Sequence, residues 1–336
     1  MTAPRTGSEN TPNRHLPVLL TEVLTALDPQ PDEYIVDGTF GLGGYSRKFL
    51  EATNCHVFGI DRDPQAMVRG AELAQAYPDH LTLLSGPYSE MEAMLAGEGR
   101  TSVDGIVLDL GVSSPQLDDA ERGFSFRFDG PLDMRMSAAG QSAADVVNSA
   151  SLDELTSIIR EFGEEKHARR VAQAIVATRL DAPITRTLAL AELIAEVMPR
   201  PKGKAKRGPE RIHPATRTFQ ALRIYVNDEI GELRRGLAAA ERLLGVGGRL
   251  VVVSFHSLED REVKRFLQLR SGNAPRAHRH SPAAEAEEHT PSFDLLFRGA
   301  TKPGEAETSV NPRARSARLR AGVRTAAPAW PMEDAA

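Results

Sequence analysis

Three short apolar runs, each carrying an aspartate at or next to its end, constrain this chain more than any other feature: Tyr34–Asp37, His56–Asp61 and Val103–Leu110, the last with Asp109. Between them lie helical patterns at Ser46–Glu51, Pro64–Tyr77 and Tyr88–Leu95, and Leu81–Ser85 reads as another strand. Parallel neighbours need a long crossover, usually a helix, so repeated strand–helix alternation predicts a parallel sheet covered on both faces. The expected fold class is α/β with a doubly wound, Rossmann-like core.

One interval breaks the rhythm. From Leu110 to the next strand, Arg249–Phe255, runs far more chain than a crossover requires, and part of it reads as helices at Leu152–Leu180, Thr187–Met198 and Thr216–Leu244. The economical explanation is an inserted helical domain. The predicted organisation is a disordered N-terminus over 1–14, a discontinuous core over 15–120 and 212–336, and an inserted helical substrate-recognition domain over 121–211. Ser271 to Pro291, rich in Ala, His, Glu and Pro, reads as loosely held. Phe293–Phe297 and Ser316–Val323 read as a closing hairpin.

Residues Ile35 to Ser46 form a strand, a glycine-rich loop and a helix start, with Gly38, Gly41, Gly43 and Gly44 in the turn. Glycine suits sharp turns and places where a ligand approaches the main chain. The acid closing the next strand, Asp61, lies roughly 20 residues onward, the spacing of a ribose-binding carboxylate. A dehydrogenase would share this outline, and a glycine turn without ligand is a further alternative. Two details favour S-adenosylmethionine. Asp37 would disfavour a pyrophosphate and suit a cationic, amine-bearing ligand, and Ser46 replaces the last glycine of the dinucleotide pattern. S-adenosylmethionine has a ribose, an amine and a sulfonium, but no phosphate.

Ligands of open α/β sheets sit beyond the carboxyl ends of the strands, so Asp37, Asp61 and Asp109 are expected around one crevice; capping a helix is the alternative for each. Methyl transfer needs an in-line approach to a nucleophile with a usable lone pair. Asp109, the Gly111–Ser114 backbone and Gln116 are suitable acceptors for the hydrogens of an exocyclic amine, and Asp109 is the catalytic candidate. This segment partly matches the Asp/Ser-Pro-Pro-aromatic signature of amino-methylating enzymes, with Gln116 in place of the second proline and no adjacent aromatic. Phe124, Phe126 or Phe128 would have to supply base stacking, against packing as the alternative. Cys55, the only cysteine, precedes the second strand, away from the crevice, which argues against covalent catalysis.

That single cysteine also rules out a disulfide framework or a cysteine-rich zinc site. With no signal-like apolar stretch at the N-terminus and no run near the ~18 residues of a membrane span, the expectation is a cytoplasmic protein without membrane contact. The net charge of −5 alone argues against nucleic acid. Local patches argue otherwise. Lys202, Lys204, Lys206, Arg207, Arg211 and Arg217 are opposed only by Glu210, and Arg313, Arg315, Arg318, Arg320 and Arg324 have no acid between them. A solvated linker and tail are the bland alternative.

Several segments, in consistent order, resemble the ribosomal RNA small subunit methyltransferase H family, also called MraW. They are His15–Leu19, Asp37–Ser46, Asp109–Gln116, Gly123–Phe126, Asp129–Arg135, Arg211–Arg223, Ser254–Arg261 and Asn311–Ser316. The resemblance implies a class I methyltransferase core that methylates the exocyclic N4 of one cytidine in the decoding region of 16S (small-subunit) ribosomal RNA. It implies cofactor contacts at Gly43, Gly44, Tyr45, Asp61, Tyr88, Asp109 and Gln116, with Tyr45 where the family usually has histidine and Tyr88 where phenylalanine is common. The implied partner is small-subunit ribosomal RNA or the small ribosomal subunit, and a homodimer stays open.

Lys202, Lys204, Lys206, Arg207, Arg211, Arg217, Arg313 and Arg315 are the RNA-binding candidates; Arg217 and Arg223 are candidate phosphate contacts, with salt bridges to Asp228 or Glu232 as the alternative. Ser257 and Asp260 form a candidate capping box, against His256 and Glu259 lining an RNA cleft. His213 and His256 read as packed or capping, and no paired spacing supports a metal. The rivals to an RNA enzyme are a non-catalytic RNA-binding ribosome-assembly factor and a DNA amino-methyltransferase.

Overall fold

The structure is a computed structural model that describes residues 17–137, 139–199, 213–273 and 289–331. Among the described residues the first element is helix α1 (Leu20–Leu27), which the sequence reading did not anticipate. Three strand–helix steps and a fourth strand follow: β1 (Tyr34–Asp37) and α2 (Gly44–Ala52), β2 (His56–Asp61) and α3 (Pro64–Ala76), β3 (Leu81–Ser85) and α4 (Met91–Gly97), then β4 (Val103–Asp109). These four strands lie within a residue of their expected ends; the next strand, expected from Arg249, begins earlier, at Leu244.

After β4 come the short α5 (Ser114–Asp118), then α6 (Ala143–Ser149), α7 (Leu152–Glu161), α8 (Ala168–Thr178), α9 (Thr187–Val197) and α10 (Thr216–Val226). The sheet resumes through α11 (Glu229–Leu243), β5 (Leu244–Ser254) and α12 (Ser257–Arg270). It closes with β6 (Phe293–Leu295), α13 (Glu305–Val310) and β7 (Arg318–Arg324).

The strand order is β3-β2-β1-β4-β5-β7-β6. Strands β1 to β5 pair in parallel, and β7 runs antiparallel to both β5 and β6. The expected closing pair is therefore present, although α13 makes the connection long rather than a tight hairpin. The order reverses between β1 and β4, which places a crevice beyond their carboxyl ends. Two apolar clusters, one on each face, hold the sheet: Val107, Val251 and Phe49 belong to the first, Ile106, Leu108 and Leu237 to the second. A third, built from α6–α10 and including Val147, Ile159, Ile175, Leu190 and Phe219, is the core of the inserted helices.

Two long helices expected from periodicity are each broken. Leu152–Leu180 divides at Gly163 and Glu164, the latter at φ 48; a Cβ on Gly163 would lie 2.6 Å from the Arg217 and Ile159 carbonyl oxygens, so glycine is needed there. Thr216–Leu244 divides at Asp228, with φ 47, and its last residue starts β5 instead. No helix among the described residues is long and apolar enough to cross a membrane.

Candidate functional site

The crevice beyond β1, β2 and β4 has a volume of about 470 Å³, within the range of small-molecule sites. One wall is the glycine loop from Gly38 to Leu42 with Gly44 and Tyr45; the floor and the second wall bring in Asp61, Tyr88, Asp109, Gln116 and, opposite, Arg223, Phe255 and Glu259.

Loop geometry follows from its glycines. Gly43 caps α2 at φ +70, and a Cβ there would meet the Phe40 ring at 2.7 Å and Leu73 at 2.8 Å. It sits behind the wall and permits the turn, rather than lining the crevice. Gly44 does line it, with Pro17 2.7 Å from where its Cβ would stand. Tyr45 is buried and its hydroxyl donates to the Val18 carbonyl, so the side chain is spent on the protein's own backbone.

The three strand-end acids occupy two levels. Asp37 lies beneath the crevice, fully buried, accepting from Ser46 Oγ at 2.7 Å. Burial, with Asp61 nearby, pushes its carboxyl up to about 6, against the pull of its hydrogen bonds. Asp61 faces the crevice, with Oδ2 accepting from Gly41 N and Oδ1 from Asp63 N, each at 2.8 Å. Burial raises its pKa too. Asp109 also faces the crevice. Its backbone N–H donates to Thr39 Oγ1 at 2.6 Å, but its carboxylate Oδ1 is buried with no hydrogen-bond partner. Burial, then the charges of Asp37 and Glu259, hold this carboxyl well above the ordinary range. The expectation of one crevice thus holds for Asp61 and Asp109, while Asp37 acts from below through its charge.

Tyr88 reaches the crevice from the turn before α4, its ring accommodated by Gly236, where a Cβ would come within 2.3 Å. Gln116 closes a capping box at the start of α5: its Oε1 accepts from Ser113 N at 2.9 Å.

The opposite wall is a charged network. Arg223 donates twice to Glu229, at 2.8 and 2.9 Å, and lies 4.0 Å from Glu259. Its partner is thus Glu229, not Asp228 or Glu232. The helix-opening box belongs to His256 and Glu259 rather than Ser257 and Asp260: Glu259 Oε2 accepts from Phe255 N at 2.7 Å and His256 N at 3.2 Å. Burial alone would raise the Glu259 carboxyl, but His256, Arg223 and these N–H groups hold it below its usual value. Glu229, His256 and Glu259 bring ligand-type atoms within 4.8 Å of one another, and Arg223 already supplies positive charge there.

Asp260 instead anchors the C-terminal arginines. Arg318 and Arg320 both donate to it, at 2.8 and 2.7 Å, and Arg324 is buried against backbone carbonyls including Glu241 and Ser292. These three serve the fold. Arg313 lies on the crevice rim, bonded to Ser114 and 3.2 Å from Asp118, and Arg315 is exposed. Arg217 is half-exposed beside Glu165 at 3.9 Å. Lys202, Lys204, Lys206, Arg207 and Arg211 lie outside the described residues. Of the phenylalanines, Phe124 is core, Phe126 packs against His213 and edge-on to Phe219, and Phe128 is 60% exposed.

Sequence reasoning passed over Asp63, Arg122 and Asn227. Asp63 had a legible signal, an aspartate directly before the proline that opens α3. Arg122 and Asn227 had none, since their partners are distant in sequence: Asn227 Oδ1 accepts from Met136 N at 2.8 Å and its Nδ2 donates to the Met134 carbonyl at 2.7 Å.

The MraW methylase family matches residues 12–325 of this chain. Among curated proteins, the ribosomal RNA small subunit methyltransferase H of Rhodospirillum centenum is 57% identical over 337 residues, covering 100% of both chains. That of Rhodospirillum rubrum is 56% identical, covering 94% of this chain and 96% of its own. Among solved structures, an rRNA methylase from Streptococcus thermophilus aligns over 91% of this chain and 92% of its own, at 12% identity and a TM-score of 0.36. With a match that spans the described strands, the crevice acids and the inserted helices alike, the chain belongs to the MraW methylase family.

Proposed function

We propose that this protein is an S-adenosylmethionine-dependent methyltransferase of small-subunit ribosomal RNA, and that its acceptor is the exocyclic N4 of a cytidine. The relatives' name supports the RNA substrate. The observation that carries the chemistry is Asp109 Oδ1, buried at the crevice floor without a partner. An acceptor left unsatisfied at such a place is costly unless a ligand completes it.

The crevice fits S-adenosylmethionine better than a dinucleotide. Its cofactor side presents acids at Asp61 and Asp109, with Asp37 below, which suits ribose hydroxyls and a cationic amine and repels pyrophosphate. When bound, this cofactor supplies an electrophilic methyl group. Asp61 is proposed to hold the ribose, while Gly44, Tyr45 (through its main chain), Tyr88 and Gln116 complete the wall and Gly43 sets its turn. Asp109 is the proposed acceptor that orients an amine, directing its lone pair in line toward the methyl group.

Residues 121–211 are proposed as the part that recognises RNA. The base must leave its stack to reach the crevice, which single-stranded regions permit at little cost. Phe128, whose ring is exposed, is the aromatic proposed to stack on it. Lys202, Lys204, Lys206, Arg207, Arg211, Arg217, Arg313 and Arg315 are proposed to hold phosphates.

Mass spectrometry of small-subunit RNA from cells with and without the protein tests this reading. A methylated cytidine present only with the protein is expected; its absence, or label appearing in DNA instead, overturns it. Substituting Asp109→Ala or Asp61→Ala is expected to lower methyl transfer roughly 100-fold or more, measured with labelled cofactor and small subunits. Normal turnover in both variants would remove the site assignment.

A further inference from the structure

We infer that Asp63 is a positioning residue for the cofactor wall: it fixes which way round the Gln116 amide stands. The inference rests on the reading of Gln116 as a cofactor contact. The Gln116 side chain is buried, with 6% exposure, at the edge of the crevice. Its Nε2 donates to Asp63 Oδ2 at 2.8 Å, and its Oε1 accepts from Ser113 N at 2.9 Å.

An amide has nearly the same shape in either orientation, so its partners must choose. A carboxylate without a proton only accepts, so Asp63 admits only the NH2 end. The Ser113 N–H only donates, so it admits only the oxygen. Reversal would set donor against donor and acceptor against acceptor in a buried place, losing both bonds. One amide hydrogen and one oxygen lone pair are left over, and Asp63 fixes the sense in which the crevice meets them.

The two oxygens of Asp63 divide the work. Oδ1 accepts from Gln65 N at 3.0 Å and caps α3. Oδ2 takes both Gln116 and Arg122, the latter at 2.8 Å. Arg122 in turn reaches the Arg135 and Met136 carbonyls at 3.0 and 3.1 Å, tying the loop ahead of α6 to the end of β2.

This division makes Asp63→Asn informative, because asparagine caps a helix as well as aspartate does. The variant keeps the cap and places an NH2 against the Gln116 NH2. Calorimetry with S-adenosylmethionine on the full chain is the test, in a double-mutant cycle. D63N is expected to weaken binding about 10-fold in the native background and less than about twofold in a Q116A background. An unchanged affinity, or an equal loss in both backgrounds, overturns the inference. If D63N does not fold, D63N/Q116E restores the donor–acceptor match and the negative charge beside Arg122, and folding is expected to return; no recovery overturns the inference. Absence of binding by the unaltered protein would instead defeat the cofactor reading itself.

Discussion

Asp37 sits beneath the crevice with a carboxyl pushed up to about 6 by burial, although Ser46 donates to it at 2.7 Å. Between its ordinary value of 3.8 and about 6, the folded protein holds this proton more often than the unfolded chain does. Stability therefore falls as pH rises through that window, by on the order of 3 kcal/mol for this group, and the loss persists at neutral pH. Asp37→Asn removes the titration. Its stability relative to the native protein is expected to rise from pH 4 to pH 7 in chemical denaturation. A gap independent of pH would show that Asp37 titrates normally. At this scale the acids were legible from the sequence because they end strands. Which one faces the crevice was not, because that depends on a single turn of backbone after each strand.

Among the elements, the strands were read most accurately, since runs buried on both faces are almost continuously apolar. The breaks in the helical region escaped notice. Glu164 and Asp228 adopt left-handed backbone without being glycine, so the apolar periodicity runs on past them. The glycine loop is the element where local sequence and close packing agree. Gly43→Ala is expected to destabilise the protein by about 1–3 kcal/mol, because the positive φ and the Phe40 and Leu73 contacts penalise any Cβ. Thermal melting with calorimetry should show a lower Tm and weaker cofactor binding together. A variant as stable as the native chain would mean that Phe40 moves aside freely.

Across the whole molecule the net charge is −5, so attraction to RNA must come from local patches. Much of the basic C-terminus is consumed internally by Asp260 and by backbone carbonyls. The proposed phosphate contacts are then concentrated in Lys202–Arg217, Arg313 and Arg315. Replacing Lys202, Lys204 and Lys206 with glutamine is expected to flatten the salt dependence of small-subunit binding, the log–log slope changing by about 2. Unaltered slope would place the RNA path elsewhere.

The sequence by itself determined the parallel core, the glycine turn, the acids at the strand ends and the helical insertion, because each is written in patterns a few residues apart. It also carried enough ordered segments to reveal the family. Only the tertiary structure decided that Asp37 lies below Asp61 and Asp109, and that Arg223 belongs to Glu229. It alone joined Asp63 to Gln116 and Arg122, and tied Arg318 and Arg320 to Asp260 and Arg324 to backbone carbonyls. Most of those contacts join polar groups far apart along the chain, where composition states only that partners exist and folding selects which ones meet.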